Sequence, residues 1–257
     1  MFRKRTGLTS EVFFLPDRTE KAAERAERLL IEGFLDGRYP PGSTLPGERD
    51  LCKALGIARP ALREALQSLH RDGWLDIQQG KPTRVKDFWH EGNVNVLIGL
   101  LKVRHSLLRD LVPNLLEMWS LLTPTYTQHA VERKPREIAL LTAGFRGLAD
   151  RAEPYARAMW RLHRLLVECC GNPVYGLVLN SFEDFYRRLA CIYYEDPEAR
   201  AQARDLWEAL HTAALTADGA AAARAVETFT RITREGWPLN PASQFNDDEW
   251  NGDCASG

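Results

Sequence analysis

Glycine divides the first third of the chain into short segments, and this division constrains the fold more than any other feature. Gly37, Gly56 and Gly73 each follow a run in which apolar residues recur at helical spacing. Glycine is the preferred residue for the left-handed cap that ends a helix. The runs predict a first helix that follows a capping box at residues 17–20 and ends at about residue 36, and further helices at about residues 48–55 and 60–72. The last two, joined by a tight turn, have the layout of a helix-turn-helix.

The period of the pattern changes after the third glycine. Residues 74–78 alternate like a strand, residues 79–82 (Gln-Gly-Lys-Pro) have turn chemistry, and residues 83–85 can form a returning strand. A hairpin that follows a helix-turn-helix is a wing. The segment therefore predicts a winged helix-turn-helix.

From Asn93 onward no strand pattern is long enough to predict a sheet. Apolar residues recur at helical spacing in seven stretches: 94–102, 106–129, 136–151, 155–170, 173–194, 197–216 and 219–236. The predicted fold class is mainly α with a small β wing: an N-terminal winged helix-turn-helix followed by a C-terminal all-α helical bundle. The predicted boundaries are an N-terminal extension at 1–16, the winged helix-turn-helix domain at 17–88, the helical domain at 89–240 and a polar tail at 241–257.

Charge separates the two parts of the chain. Residues 1–88 carry 16 Lys and Arg against 13 Asp and Glu, whereas residues 89–257 carry 18 against 22, so a basic front offsets an acidic rear. The total of −1 excludes a strongly basic protein that coats nucleic acid. The apolar stretch near residues 94–101 is too short to span a bilayer, and no apolar run follows the basic N-terminus, so we expect no membrane association and no secretion. The odd number of cysteines, without CxxC spacing, favours a reducing cytoplasm.

Basic residues lie where a winged helix-turn-helix would contact DNA. Arg59 and Arg63 are four residues apart and share one face of the predicted second helix. Arginine can donate two hydrogen bonds to guanine O6 and N7 in the major groove. Arg49 begins the preceding helix, and Lys81 lies at the wing turn, where cations can meet phosphate. The alternative for such arginines is ordinary solvated surface charge.

Two tyrosines on apolar helical sequence are candidates for a ligand site. Tyr186 and Tyr193 are seven residues apart, so two helical turns place them on one face. A buried phenol needs a hydrogen-bond partner, which a thioester carbonyl could supply. The alternative is that the pair belongs to the core or to an interface. The sequence contains no nucleophile motif, catalytic carboxylate pair or phosphate loop, so we do not expect an enzyme.

Residues 40–89 resemble the winged helix-turn-helix of the GntR regulator superfamily and, in the wing, that of its FadR subfamily. The segments that carry the resemblance are Pro40-Pro41-Gly42, Leu45-Pro46-Gly47-Glu48-Arg49, Leu55-Gly56, Arg59, Leu62-Arg63-Glu64-Ala65-Leu66, Asp72-Gly73-Trp74-Leu75, Ile77 to Val85 and Phe88-Trp89. Further matches are Gly171 to Leu177, Asn180, Tyr186, Tyr193 and Asp196 to Arg200. The resemblance covers roughly residues 20–237.

The resemblance implies a set of DNA-contacting residues, with the wing tip at Gly80 entering the minor groove. The set is Arg49, Arg59, Pro60, Arg63, Gln79, Gly80 and Lys81. This sequence departs from the subfamily where Ala58, Pro60 and Ala61 replace hydroxyl-bearing residues and Gln79 replaces a histidine. Loss of a hydroxyl at the helix N-cap costs about 1 kcal/mol. We therefore expect an altered operator.

The resemblance also implies that the helical domain binds a long-chain acyl-CoA as effector ligand. The positions that match or replace the subfamily's ligand contacts are Leu115, Leu116, Trp119, His163, Phe182, Tyr186, Tyr193, Thr233 and Trp237. Trp119 replaces an arginine, His163 a phenylalanine, and Thr230 a glycine that allows close approach. Relatives outside the subfamily bind a metal here through an Asp and three His, but Met159 occupies the Asp position. We therefore expect no metal and no cofactor.

The resemblance implies a cytoplasmic homodimer that binds double-stranded operator DNA and is released from it by long-chain acyl-CoA. Such a regulator represses fatty acid degradation genes and activates unsaturated fatty acid synthesis genes. One alternative is a GntR-type regulator that responds to a different, smaller metabolite, which the replacements at Trp119 and His163 support. The other is an acyl-CoA carrier without regulation, against which the intact wing and arginines argue.

Overall fold

The computed structural model describes residues 21–103 and 105–237, and its contacts divide the chain between Asp87 and Phe88 into two compact units. The predicted extension, the predicted capping box at residues 17–20 and the predicted polar tail lie outside the described residues. The described part of the first unit consists of α1 (Ala22–Leu35), α2 (Glu48–Leu55), α3 (Arg59–Arg71), β1 (Leu75–Asp76) and β2 (Arg84–Val85).

The core of the first unit forms where α1 packs against α3. Leu30 and Leu62 are inaccessible to solvent, and Phe34 packs against Trp74 with their ring centroids 5.9 Å apart. These residues are the apolar positions of the predicted helices and the start of the predicted hairpin. The core therefore orients α3 and the hairpin relative to each other.

The turn between α2 and α3 has the predicted geometry. Gly56 adopts a left-handed φ of +66°, and its N–H donates to the Cys52 carbonyl. Ala58 occupies the N-cap position of α3 and provides no side-chain hydrogen bond to the first turn. Pro60 lies within that turn, where its missing N–H costs nothing because the first amides of a helix have no intrahelical partner.

The wing is a short antiparallel hairpin in which Leu75 pairs with Val85 and Asp76 with Arg84. It has fewer paired residues than the sequence predicts, because β2 divides its hydrogen bonds between two neighbours. Thr44 forms a bridge with Arg84, and the Val85 N–H donates to the Ser43 carbonyl at 2.8 Å. The segment after the two prolines thus lies beside the wing as a third extended strand.

All secondary structure in the described part of the second unit is helical, which with the hairpin confirms the predicted fold class. Its elements are α4 (Val94–Val103), α5 (His105–Arg133), α6 (Pro135–Ala143), α7 (Ala152–Cys169), α8 (Pro173–Asn180), α9 (Glu183–Tyr193), α10 (Pro197–Leu215) and α11 (Gly219–Gly236). Asn172 and Asp196 are the N-caps of α8 and α10, since each side chain accepts a hydrogen bond from the backbone N–H two residues later. No helix in the described ranges has the length and apolar character needed to cross a bilayer.

Two predicted helices are shorter than their apolar periodicity suggests. The helix predicted at residues 136–151 ends at Ala143, because Gly147 takes a left-handed φ of +84° and Phe145 turns inward to pack on Trp207 at 4.8 Å. The helix predicted at residues 173–194 is divided into α8 and α9 by a turn at Ser181 and Phe182. Phe182 is only 4% exposed. Its burial gives a tertiary reason for a break that no glycine or proline marks.

The bundle is built around α5, which packs against α11, α7 and α6. α5 and α11 run antiparallel: a Cβ placed on Gly219 would lie 2.8 Å from the Gln128 carbonyl oxygen, while Trp237, at the other end of α11, packs with Val112 and Leu115. Two apolar clusters result, a large one around α7 and α10 and a smaller one that contains Phe182 and Trp237.

Candidate DNA interface and ligand cavity

Arg59 and Arg63, the two arginines predicted to read bases, converge on one carboxylate. Arg59 donates from Nε to Glu48 Oε2 at 3.0 Å, and Arg63 donates from Nε to the same oxygen at 2.9 Å. Both arginines are exposed on the first turns of α3, and Glu48 is the first residue of α2. The three side chains form a bridge between the two helices of the helix-turn-helix, which we call the Glu48 bridge.

Glu48 is a site residue that the sequence reasoning missed. The hydrogen bond from Arg59, followed in effect by that from Arg63, holds the pKa of Glu48 below its usual range, so the carboxylate stays ionised. The Glu48 bridge uses only the Nε of each arginine, so it leaves the outer nitrogens of both guanidinium groups available. It also limits the side-chain freedom of two flexible residues. Only the tertiary structure reveals the bridge, because Glu48 precedes its partners by 11 and 15 residues.

Arg49 and Pro60 lie apart from this bridge. The Arg49 side chain is 94% exposed and makes only a loose contact with Asp50, 3.6 Å from Nε to Oδ1. It is therefore free to reach a phosphate group. Pro60 is exposed on the first turn of α3, between the two bridged arginines.

The tip of the wing exposes its three predicted residues. Gly80 adopts a left-handed φ of +75°, and a Cβ added there would contact nothing within 4 Å. Gln79 and Lys81 flank it and are exposed, and Lys81 donates from Nζ to the Gln78 side chain at 2.8 Å. A groove of about 520 Å³ lies between the wing and the two helices, and Glu48, Arg63 and Lys81 all contribute to its walls.

A cavity of about 120 Å³ lies inside the second unit. Side chains from α5, α7, α8, α9, α10 and α11 surround it. All nine sequence-predicted effector residues are among its lining: Leu115, Leu116, Trp119, His163, Phe182, Tyr186, Tyr193, Thr233 and Trp237. No aspartate, glutamate, lysine or arginine is found among the described residues that line it.

One end of the cavity is defined by Tyr193, Thr233 and Trp237, which we call the outer end. The Tyr193 ring stacks on Trp237 with the planes 14° apart, and its hydroxyl lies 3.3 Å from Thr233 Oγ1 and 3.1 Å from Gln202 Oε1. Burial raises the pKa of Tyr193, so the phenol stays protonated. The Trp237 indole N–H is buried and has no hydrogen-bond partner in the described part of the chain.

A second set of polar groups surrounds His163 on α7. The Tyr126 hydroxyl lies 2.9 Å from His163 Nδ1, and the Tyr186 ring meets the imidazole edge-on at 5.5 Å. Burial lowers the pKa of His163 to about 4 and raises those of both phenols. All three groups are therefore uncharged near neutral pH. Tyr126 was not predicted from the sequence, because it lies 37 residues from its partner.

The described residues offer no cluster of three or more metal-ligating side chains. His163 is engaged by Tyr126, while the Nδ1 of His211, a histidine on α10, lies 3.0 Å from the Ala139 carbonyl oxygen. Met159 lines the cavity, and its side chain has no carboxylate that could bind a metal. The two histidines thus serve separate protein contacts.

The cavity also has lining residues that the sequence reasoning missed. Those on α5 and α7 are Val112, Thr123, Thr127, Met159, Leu162 and Leu166. Their signal is helical spacing, since Trp119, Thr123 and Thr127 succeed each other at four-residue intervals along one face of α5. The pattern identifies an inward face, but it does not distinguish a cavity wall from a packed core.

Two family models match the chain, one for each unit. Residues 22–85 match the model for bacterial regulatory proteins of the gntR family, and residues 86–241 match that for the FadR C-terminal domain. The second match alone spans more than half of the chain.

Similar proteins, which align with most of the chain, indicate the same family. A fatty acid metabolism regulator protein from Edwardsiella ictaluri is 38% identical over 71% of this chain and 77% of its own length. The protein of that name from Escherichia coli O1:K1 is 36% identical over 79% of this chain and 84% of its own length. A solved structure, Streptococcus agalactiae GntR, is 20% identical over 83% of this chain and 99% of its own, with a TM-score of 0.43, too low to bear on the fold.

The two family models and the curated relatives agree with each other and with the winged hairpin and helical bundle described above. The chain therefore belongs to the gntR family of bacterial regulatory proteins, and within it to the DNA-binding fatty acid metabolism regulators that carry the FadR C-terminal domain.

Proposed function

We propose that the chain works as a homodimer whose first unit binds operator DNA and whose second unit binds a long-chain acyl-CoA that releases the DNA. In this role it represses fatty acid degradation genes and activates unsaturated fatty acid synthesis genes. Membership of the fatty acid metabolism regulators supports the class of target genes. The cavity of the second unit supports the class of effector.

The observation that carries the proposed effector is the uncharged lining of the cavity. An ionised carboxylate buried there would have no charged partner and would lose its hydration, which costs several kcal/mol or more. A thioester is neutral, so its acyl chain can enter while the charged nucleotide part stays in water. The lining thus favours an acyl thioester over a free fatty acid.

The outer end of the cavity has the donors that a thioester carbonyl requires. Tyr193, Thr233 and Trp237 carry two hydroxyl groups and an indole N–H, and the N–H has no partner among the described residues. A ligand oxygen that accepts from this N–H would relieve an unpaired buried donor. We therefore place the thioester at the outer end and the hydrocarbon chain between α5 and α7.

The volume of the cavity suggests how binding is coupled to release. About 120 Å³ is well below the roughly 300–1,000 Å³ of ordinary ligand pockets, so a long acyl chain has to move the lining apart. A ligand shifts a conformational equilibrium only when it binds one state better than the other. The wider bundle is then the state that binds ligand, and it is the state with lower affinity for DNA.

The DNA interface is tested by substituting one arginine of the Glu48 bridge. Arg59→Ala should abolish the preference for operator over random duplex, because Arg59 lies at the start of the recognition helix, where side chains reach base edges. The operator is selected from a randomised duplex pool, and both affinities are measured by fluorescence anisotropy. Arg71→Ala, at the far end of α3, is the matched control. A substituted protein that still prefers its operator would refute the role given to Arg59.

The effector is tested by titration of the protein–operator complex with hexadecanoyl-CoA, free hexadecanoate and acetyl-CoA. Release by hexadecanoyl-CoA alone is the expected result. A regulator that responds to a smaller metabolite is the second candidate, and the small volume of the cavity is the observation that favours it. Release by acetyl-CoA, or by none of the three, would favour that candidate.

We expect a homodimer because of the way in which a winged helix-turn-helix reads DNA. One recognition helix and one wing contact a single half-site, and a two-fold dimer reads a pseudo-palindrome. Analytical ultracentrifugation with and without the selected operator should give two chains per duplex. One chain per duplex would contradict the proposal.

A further inference from the structure

The end of the cavity opposite Trp237 contains polar groups that a purely hydrocarbon ligand would not use. Thr127 on α5 lines the cavity, is inaccessible to solvent, and its hydroxyl has no hydrogen-bond partner in the structure as described. Buried hydroxyl groups are nearly always paired, since an unpaired one costs stability. We call Thr127 and His163, with Tyr126 behind the histidine, the inner end of the cavity.

Thr127 differs from Thr123 and Thr230, two other helical threonines that line the cavity. Thr123, one turn earlier on α5, donates to the Trp119 carbonyl at 2.7 Å, and Thr230 on α11 donates to the Val226 carbonyl at 2.9 Å. Such a bond to the carbonyl four residues earlier is the usual way for a helical threonine to satisfy its hydroxyl. Thr127 makes no such bond, so its hydroxyl remains available to a ligand.

His163 adds a second available polar atom. Its Nδ1 is engaged by the Tyr126 hydroxyl at 2.9 Å, and no described residue pairs with its Nε2. Tyr126 acts as a positioning residue, because the contact between its hydroxyl and Nδ1 holds the orientation of the imidazole ring. In either tautomer, Nε2 is a neutral donor or a neutral acceptor.

The inner and outer ends are separated along α5. Trp237 packs with Leu115, and Thr127 lies twelve residues further on, about 18 Å along the helix axis. A ligand whose carbonyl binds at the outer end would therefore reach the inner end with the far part of its chain. A group recognised there lies near the end of the acyl chain.

The polar atoms at the inner end of the cavity determine which ligand group can bind there. The lining is uncharged, so a carboxylate or phosphate is disfavoured. Thr127 can donate or accept, and so can a ligand hydroxyl, which therefore fits either tautomer of His163. We propose that the inner end binds a hydroxyl group near the terminus of the acyl chain, so that the preferred effector is a chain-terminal hydroxyacyl thioester. This inference rests on the acyl-thioester function proposed above.

Three thioesters of equal chain length test the proposal by calorimetric titration of the full-length protein. They are hexadecanoyl-CoA, 16-hydroxyhexadecanoyl-CoA and 3-hydroxyhexadecanoyl-CoA. An apolar cavity binds a chain with an added hydroxyl less well, because the hydroxyl loses its water. We expect the opposite order here, with the 16-hydroxy ligand about five- to tenfold tighter than the unsubstituted one, and no such gain for the 3-hydroxy ligand.

Substitutions test whether the preference for the 16-hydroxy ligand arises at the inner end of the cavity. Thr127→Val keeps the size of the side chain and removes its hydroxyl, and His163→Phe keeps an aromatic ring and removes both nitrogens. Each should abolish or reverse the ratio of the two affinities, that for the 16-hydroxy ligand over that for hexadecanoyl-CoA. Thr123→Val, which removes a hydroxyl already paired within the same helix, should retain the preference.

The outcomes separate this inference from the function on which it rests. Equal or weaker binding of the 16-hydroxy ligand by the unsubstituted protein, or a preference that survives Thr127→Val and His163→Phe, would overturn the inference alone. If none of the three thioesters bound, the proposed effector class would fail, and this inference with it. Circular dichroism of the substituted proteins establishes that each is folded.

Discussion

At the scale of single residues, Glu48 links the two helices of the proposed DNA interface. Its carboxylate accepts hydrogen bonds from Arg59 and Arg63, both exposed. An exposed ion pair adds little to stability. Its effect is to restrict where the guanidinium groups lie before DNA binds, which bears on specificity more than on the fold.

Replacement of Glu48 by glutamine should separate specific from non-specific DNA binding. Glu48→Gln removes a negative charge from the proposed DNA interface, so affinity for random duplex should rise several-fold at low salt. The preference for operator should fall, because both arginines lose a charged partner that positions them. Anisotropy with the two duplexes over a series of salt concentrations measures both effects. An unchanged ratio of the two affinities would show that the bridge does not position the arginines.

His163 should make the stability of the protein depend on pH. The pKa of His163 in the folded protein is about 4, against 6.5 for an unperturbed histidine. Between these pH values the unfolded chain therefore binds a proton that the folded chain does not. The free energy of unfolding should therefore fall as the pH falls from 6.5 to 4, by at most about 3 kcal/mol from this residue. The groups that face the imidazole, Tyr126 and Tyr186, are uncharged throughout this range.

Urea denaturation of the protein and of His163→Phe at several pH values measures this contribution as a difference. The variant should lose less stability on acidification, and the two curves should run parallel above pH 6.5. Parallel curves over the whole range would show that the pKa of His163 is the same in the folded and unfolded states.

At the scale of elements, α3 begins without a capping side chain. Ala58 provides no oxygen to the first turn, and Pro60 has no N–H. The nearest free donor for a capping side chain is therefore the N–H of Ala61. An N-cap residue with a side-chain oxygen would satisfy this donor, which the alanine methyl group leaves to water.

Ala58→Ser should stabilise the first unit by about 1 kcal/mol, because a serine oxygen at the N-cap can accept from the Ala61 N–H. Ala61→Ser is the matched control: it adds the same hydroxyl inside the helix, where serine is slightly unfavourable. Urea midpoints of the full-length protein compare the two. An equal response of both variants would mean that the gain does not come from the cap.

At the scale of the whole molecule, the proposed release of DNA obeys linkage. If hexadecanoyl-CoA weakens operator binding by a given factor, operator must weaken hexadecanoyl-CoA binding by the same factor. Titrations of ligand into free protein and into the protein–operator complex should therefore give dissociation constants in that ratio. An unchanged dissociation constant for hexadecanoyl-CoA in the protein–operator complex would show that the two sites are not coupled, and the proposed release would fail.

Much of the fold could be predicted because its signals are local. Gly56, Asn172 and Asp196 mark helix ends through backbone and capping chemistry that a few neighbouring residues determine. The division of α8 from α9 could not be predicted, since burial of Phe182 depends on a cluster assembled from distant helices. The same holds for the end of α6, where Phe145 turns inward onto Trp207.

The sequence by itself determined most of the helices, the wing and nine of the residues that line the cavity, because periodicity, caps and a family resemblance all reside in linear order. Only the tertiary structure decided that Glu48 joins Arg59 to Arg63, that Tyr126 engages the imidazole of His163, and that the Thr127 hydroxyl in the same cavity remains unpaired. The reason is physical: a hydrogen bond depends on distances of about 3 Å between atoms that lie many residues apart in the chain.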